Sequence, residues 1–126
     1  MPTDTFIPLP SGAGATAAAR DALREFLAPL DVSDAMWAQT AQLVATELVS
    51  NAVRHAGGSP GIQITLGSDE LTISVADRSY VPPRPRPPDG AGGRGLLLVE
   101  GFADSWGFSF DAHGKTVWAT LRVPRA

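Results

Sequence analysis

The sequence predicts an α/β protein, a two-layer sandwich whose helices cover one face of a mixed, mostly antiparallel sheet. Three observations carry that expectation. Two long stretches without Gly or Pro, residues 15–27 and 34–56, follow one another with apolar residues at helical spacing. Further along, two pairs of stretches alternate apolar and polar residues across short turns, the period of hairpin-linked strands. Between those pairs lies a segment too rich in Pro and Gly to be either element.

The elements follow in order. Residues 5–9 read as a short edge strand, because Pro8 and Pro10 lack a backbone donor. The Ala-, Leu-, Arg- and Glu-rich run 15–27 is a helix with Leu23, Phe26, Leu27 and Leu30 as its apolar stripe. Pro29 marks its end. Ser33 or Asp34 caps a second helix whose Met36, Trp37, Leu43, Val44 and Leu48 are expected to face the core, and Gly57-Gly58 stops it. Ile62, Ile64 and Leu66, then Leu71, Ile73 and Val75, alternate around the turn 67–70 as a hairpin. Residues 78–95 hold five prolines and four glycines and form a loop whose length alone suggests a function. Residues 96–102 are a short helix. Strands 104–110 and 116–123 close the chain around a turn at 111–114.

At 126 residues, 44% hydrophobic and 18% charged, the chain fits one globular domain spanning 1–126. Its net charge of −3 comes with scattered basic residues, which argues against a direct nucleic-acid partner. The absence of cysteine excludes disulfides, thiolate metal sites and a cysteine nucleophile. Two distant histidines make zinc an unexpected ligand. No apolar run approaches the ~20 residues of a membrane span, and the N-terminus is not built like a secretory signal, so a cytoplasmic protein without a membrane partner is expected.

Several residues carry candidate chemistry. Glu47, Asn51 and His55 stand four apart and form one row on the second helix, either presenting chemistry or facing water. Asp77 shares strand parity with Leu71, Ile73 and Val75 and so points to the buried side. A buried carboxylate needs a partner, either a protein donor or a ligand amine such as that of adenine. Thr116, just after Gly114, is placed to offer a hydroxyl to the same base, or is an ordinary strand threonine. Gly90-Ala91-Gly92-Gly93-Arg94-Gly95 runs into a helix N-terminus, where free amides and the helix dipole favour an anion and Arg94 adds a charge. Two other glycine patterns lack their context. Residues 12–17 match G-x-G-x-x-A but follow a proline-bearing strand and precede two helices. Residues 109–116 approach a P-loop but continue into a strand.

Together Glu47-x-x-x-Asn51, Asp77, the loop, Gly93-Arg94-Gly95-Leu96 and Gly114-Lys115-Thr116 resemble, in order and spacing, the GHKL ATPase superfamily with its Bergerat ATP-binding fold. The runs ELVSNAVRHA and GRGLLLVEGFADSWG look most like the stand-alone anti-sigma-factor serine/threonine kinases. The resemblance implies ATP and magnesium as cofactors. It implies Asn51 as the magnesium ligand, Glu47 as general base and Asp77 as the adenine-reading carboxylate. Gly93, Arg94, Gly95 and Leu96 match the phosphate-holding lid hinge, and Thr116 the threonine beside adenine. The family's D-x-G-x-G departs here to Asp77-Arg78-Ser79-Tyr80-Val81, with Ser79 in place of the first glycine. The implied activity is phosphorylation of an antagonist (anti-anti-sigma) protein, with a sigma factor as second partner. The alternatives are a non-catalytic module that uses ATP as a switch, and a ligand-free adaptor. Trp118, opposite in parity to Val117, Ala119 and Leu121, is read either as covering a sheet face or an interface in a homodimer, or as a packed or singly exposed tryptophan.

Overall fold

The computed structural model describes residues 3–30, 34–56, 61–83 and 95–124. The elements run β1 (Thr3–Pro8), a single 3₁₀ turn (Gly12–Gly14), α1 (Ala15–Leu27), α2 (Ala35–Ala56), β2 (Gly61–Leu66), β3 (Glu70–Asp77), α3 (Gly95–Phe102), β4 (Ser105–Asp111) and β5 (Gly114–Arg122). The expected β-α-α-β-β-α-β-β order is present. The strands form one sheet in the order β1-β2-β3-β5-β4.

Every pairing in that sheet is antiparallel, so the expected mixed character is corrected to a purely antiparallel one. The reason lies in the second hairpin. β4 runs parallel to β3, but β5 folds back between them and separates the only parallel neighbours the order would have made. β1 takes an edge as expected, with Pro8 at its last paired position opposite Gly61.

One face of the sheet is apolar at alternate positions: Ile62 and Ile64 on β2, Leu71, Ile73 and Val75 on β3, and Val117, Ala119 and Leu121 on β5 are all buried. Register stacks them across strands, with Ile73 between Ile64 and Ala119. The helices close this face. α1 contributes Ala15, Ala19, Leu23 and Leu27, α2 contributes Ala41, Val44, Ala45, Leu48, Val49 and Ala52, and α3 contributes Leu96 and Val99 to the same core. The alanines let the helix backbones approach closely. Asp34 caps α2 through its Oδ1, which accepts the Trp37 N–H at 3.0 Å.

Two expected core residues sit elsewhere. Met36 is 76% exposed, because the first turn of α2 extends past the buried row that begins at Ala41. Leu43 is only half-buried, since the buried positions 41, 44, 45, 48, 49 and 52 leave it on the flank. Trp37 does pack against the core.

The other face of the sheet presents Thr65, Thr72, Ser74, Thr116 and Trp118. Trp118 lies across Gly107, its register partner on β4, so closely that a Cβ at 107 would come within 2.6 Å of the indole. Gly107→Ala is therefore expected to cost about 1–3 kcal/mol by overpacking. Most of that cost should disappear in a Trp118→Ala background, measured as a double-mutant cycle in urea.

Candidate functional site

The topology gathers the candidate residues at one end of the sheet. α2 leads into β2, and the start of β2 lies beside the end of β3, as the Ile62–Val75 pairing shows. Asn51, near the C-terminus of α2, is thus brought to the end where β3 finishes at Asp77. β5 begins at the same end, with Lys115 directly opposite Asp77. α3 also starts there, its first residues being Gly95 and the buried Leu96. Gly93 and Arg94 lie outside the described residues, as does the side chain of His55.

Asp77 is 4% exposed, as its parity with Leu71, Ile73 and Val75 predicts. Its partner is Lys115, 1% exposed, which reaches the carboxylate from the neighbouring strand. The ammonium Nζ donates to Oδ1 at 3.1 Å and lies 2.9 Å from Oδ2. Oδ2 is nevertheless out of line with any hydrogen-bond donor among the described residues: the ammonium is close enough for Coulomb attraction, but its hydrogen bond is directed at Oδ1. The Ser79 backbone N–H also donates to Oδ1, at 2.8 Å. Ser79 Oγ in turn accepts the Val81 N–H at 3.0 Å, so two successive side-chain turns steer the chain away from β3. Ser79, expected beside the ligand in place of a glycine, thus acts first as a brace for Asp77.

The close approach of β5 to this turn requires Gly114. Its φ is +142°, and a Cβ there would fall 2.1 Å from the Asp77 carbonyl oxygen and 2.7 Å from Arg78 Cα.

Asn51 is 7% exposed, and its side-chain oxygen Oδ1 is buried without a hydrogen-bond partner among the described residues. Glu47, one turn earlier, is half-buried, and that burial pushes its carboxyl above the usual range, while the charge of Arg54 partly offsets the rise. A carboxylate of raised proton affinity suits a group that must accept a proton. Among the described residues no three His, Asp or Glu side chains gather as a metal cluster. An ion at Asn51 would therefore draw most of its ligands from a bound phosphate chain and water, the ordinary habit of magnesium. The orphaned Asn51 oxygen fits that role.

The structure does not bring Thr116 to Asp77. Lys115 takes the position opposite the carboxylate, and Thr116, one residue on, pairs with Ala76 and Ser109 on the other face. Lys115 itself was the residue missed from sequence. Its signal was present, since it shares parity with Val117, Ala119 and Leu121, which places a cation on the face where Asp77 needs one. A second omission is the aromatic cluster beside it. Tyr80 donates its hydroxyl to the Asp111 carbonyl at 3.1 Å and stacks on Phe110 at 6.0 Å, and Phe110 meets Phe108 edge-on at 5.6 Å. Phe110 is the register partner of Lys115, so this cluster borders the ion pair.

A groove of about 740 Å³ opens at the opposite end of the sheet, among Trp37, Phe102, Asp104, Leu121 and Pro124. It contains none of the candidate residues, which lie at the Asp77 end.

Removing one member of the buried pair leaves the other charge uncompensated. Lys115→Met is expected to cost about 3–5 kcal/mol, and Asp77→Leu combined with Lys115→Met to recover most of it, read from urea melts. At Glu47 the folded chain holds its proton more tightly than the unfolded chain does. The charged form therefore weighs against the fold at pH values above the raised range, and this penalty fades as pH falls toward the ordinary carboxyl value of 4.5. Glu47→Gln should raise Tm at pH 7.5, with a gain that shrinks toward pH 4, measured by calorimetry across that range.

The sequence matches the family model of the histidine kinase-like ATPase domain over residues 9–121. No curated protein matches it. The matched span runs from just after β1 to the end of β5, and so takes in Glu47, Asn51, Asp77, Lys115 and the helical layer that carries the first two. With a five-stranded antiparallel sheet under three helices and buried Asn51, Asp77 and Lys115 at one end, the chain belongs to the histidine kinase-like ATPase domain family.

Proposed function

We propose that this ATPase domain is an ATP- and magnesium-dependent serine/threonine kinase that phosphorylates an antagonist protein and binds a sigma factor. The observation that supports it best is the pair of buried acceptors, Asn51 Oδ1 and Asp77 Oδ2, neither met by an aligned donor among the described residues. Leaving the Asn51 oxygen unsatisfied costs about 1–3 kcal/mol, which favours a ligand that brings a cation to it, while Asp77 Oδ2, already near the ammonium, keeps lone-pair capacity for a ligand N–H. Magnesium-ATP brings both. Its ion suits Asn51, and its 6-amino group suits Asp77.

In this reading Asp77, braced by Ser79 and Lys115, orients the base. Leu96 and Gly95, with the lid residues Gly93 and Arg94, hold phosphate at the start of α3. Asn51 would hold a magnesium ion, which when bound would supply neutralisation of the phosphate charge. Glu47 takes the proton from a partner serine or threonine hydroxyl as its oxygen attacks the γ-phosphorus, and ADP leaves. Among the described residues no helix is long and apolar enough to cross a membrane.

A non-catalytic ATP switch is favoured by one specific observation. No glycine stands among the four residues after Asp77, and the turn there is filled by Ser79 and Tyr80, which narrows backbone approach to a base.

Asn51→Ala should abolish the thermal stabilisation by magnesium-ATP, which at one hundred times Kd amounts to ~2.7 kcal/mol in the wild type, and leave the apo fold intact. Transfer of labelled γ-phosphate to antagonist proteins encoded nearby separates the two readings. A kinase loses roughly 10²-fold or more of the transfer rate in Glu47→Ala while still binding ATP. Equal and negligible transfer by both proteins leaves only the switch.

A further inference from the structure

We infer that Lys115 selects the base: its ammonium donates a hydrogen bond to ring nitrogen N1 of the adenine whose 6-amino group Asp77 accepts. The inference rests on the ATP reading of the site and gives a role to a residue to which the motif reading assigned none.

Asp77 and Lys115 are register partners on β3 and β5, on the same face of the sheet, and both are buried. Nζ is held within 3.1 Å of Oδ1 and 2.9 Å of Oδ2, and of these Oδ2 lacks an aligned donor. A base amine that supplies that donor therefore arrives beside the ammonium. In adenine, N1 is bonded to the carbon that carries the amine, so donor and acceptor are adjacent on one edge. An ammonium carries three N–H donors and no acceptor, and on its rotor it can keep Oδ1 while turning another N–H to N1. Carboxylate beside ammonium is the complement of adenine's edge. Guanine reverses both partners, with a carbonyl at position 6 facing the carboxylate and an N–H at position 1 facing the ammonium. Such a reversal leaves buried polar groups unpaired, which is the strongest form of discrimination a site can build. A lysine that served only as counter-ion would hold Asp77 equally well and be indifferent to what occupies ring position 1.

The test measures affinities of the full chain, with magnesium, for ATP, GTP and 1-deaza-ATP, in which N1 is replaced by C–H. Calorimetric titration of the wild type is expected to show 1-deaza-ATP binding about 10–100-fold more weakly than ATP, the size of a hydrogen bond to a charged donor. In Lys115→Met that ratio should fall to within about threefold, and rejection of GTP should relax with it. Equal affinity of the wild type for ATP and 1-deaza-ATP, or an unchanged ratio in Lys115→Met, overturns the inference. Should Lys115→Met fail to fold, nitrogen-15 ATP bound to the wild type decides. The N1 resonance should move upfield from its free position, with a nuclear Overhauser contact between adenine H2 and the Lys115 ε-methylene. An unmoved resonance or a missing contact overturns it. A wild type that binds no nucleotide at all removes the ATP reading itself, and the inference with it, an outcome distinct from an ATP-binding protein that ignores N1.

Discussion

The buried ion pair between Asp77 and Lys115 is the constraint on which the candidate site depends. Two charges with no measurable side-chain exposure are tolerable only if each satisfies the other, and that requires β3 and β5 to be neighbours in this register. The pairing in turn requires the β4–β5 hairpin to fold back between β3 and β4, and it requires a glycine at 114 where the turn after Asp77 crosses β5. The electrostatics of one contact and the topology of the sheet are therefore a single requirement. A shift of β5 by one residue would bury Thr116 beside Asp77 and send the lysine to the other face.

Around that pair the fold fixes the candidate residues in two ways. Asp77 is held on three sides: by Lys115 across the sheet, by the Ser79 amide behind it and by the apolar row below it. Tyr80 ties the outgoing chain to the β4–β5 hairpin through Asp111 and Phe110. Asn51 and Glu47 sit instead on α2, whose Leu48, Val49 and Ala52 anchor it in the core one position away. Position on a long, well-packed helix gives these two side chains a fixed separation of one turn, and the burial that fixes them also raises the proton affinity of Glu47.

Local periodicity made much of this legible, and non-local pairing made the rest hard to read. Asp77 could be placed from the sequence because strand parity is rigid over eight residues, and α1 because its composition, stripe and proline stop agree. The row of Glu47 and Asn51 followed from the helical repeat, but its burial did not, since that depends on which end of the sheet α2 reaches. Lys115 escaped notice because a lysine next to a turn reads as solvated, and its stem can pass through apolar surroundings without leaving a mark on the pattern. Only the register of β5 against β3, set by a hairpin inserted from farther along the chain, turns it inward. Thr116 was misplaced by that same single step. Met36 was misjudged because an apolar residue on the first turn of a helix can lie beyond the layer it leads into.

The Asn51 oxygen, unsatisfied among the described residues, has a consequence for how this protein would evolve or be engineered. An aliphatic isostere at that position, such as leucine, would remove a desolvated polar atom and relieve the apo fold of a standing penalty of about 1–3 kcal/mol. Selection for thermal robustness alone would therefore drift toward a sturdier and ligand-blind domain. An asparagine at the end of an otherwise apolar row therefore sets stability against polarity at one atom, and if the proposed cation binds there, the free energy the empty fold forgoes is returned on binding.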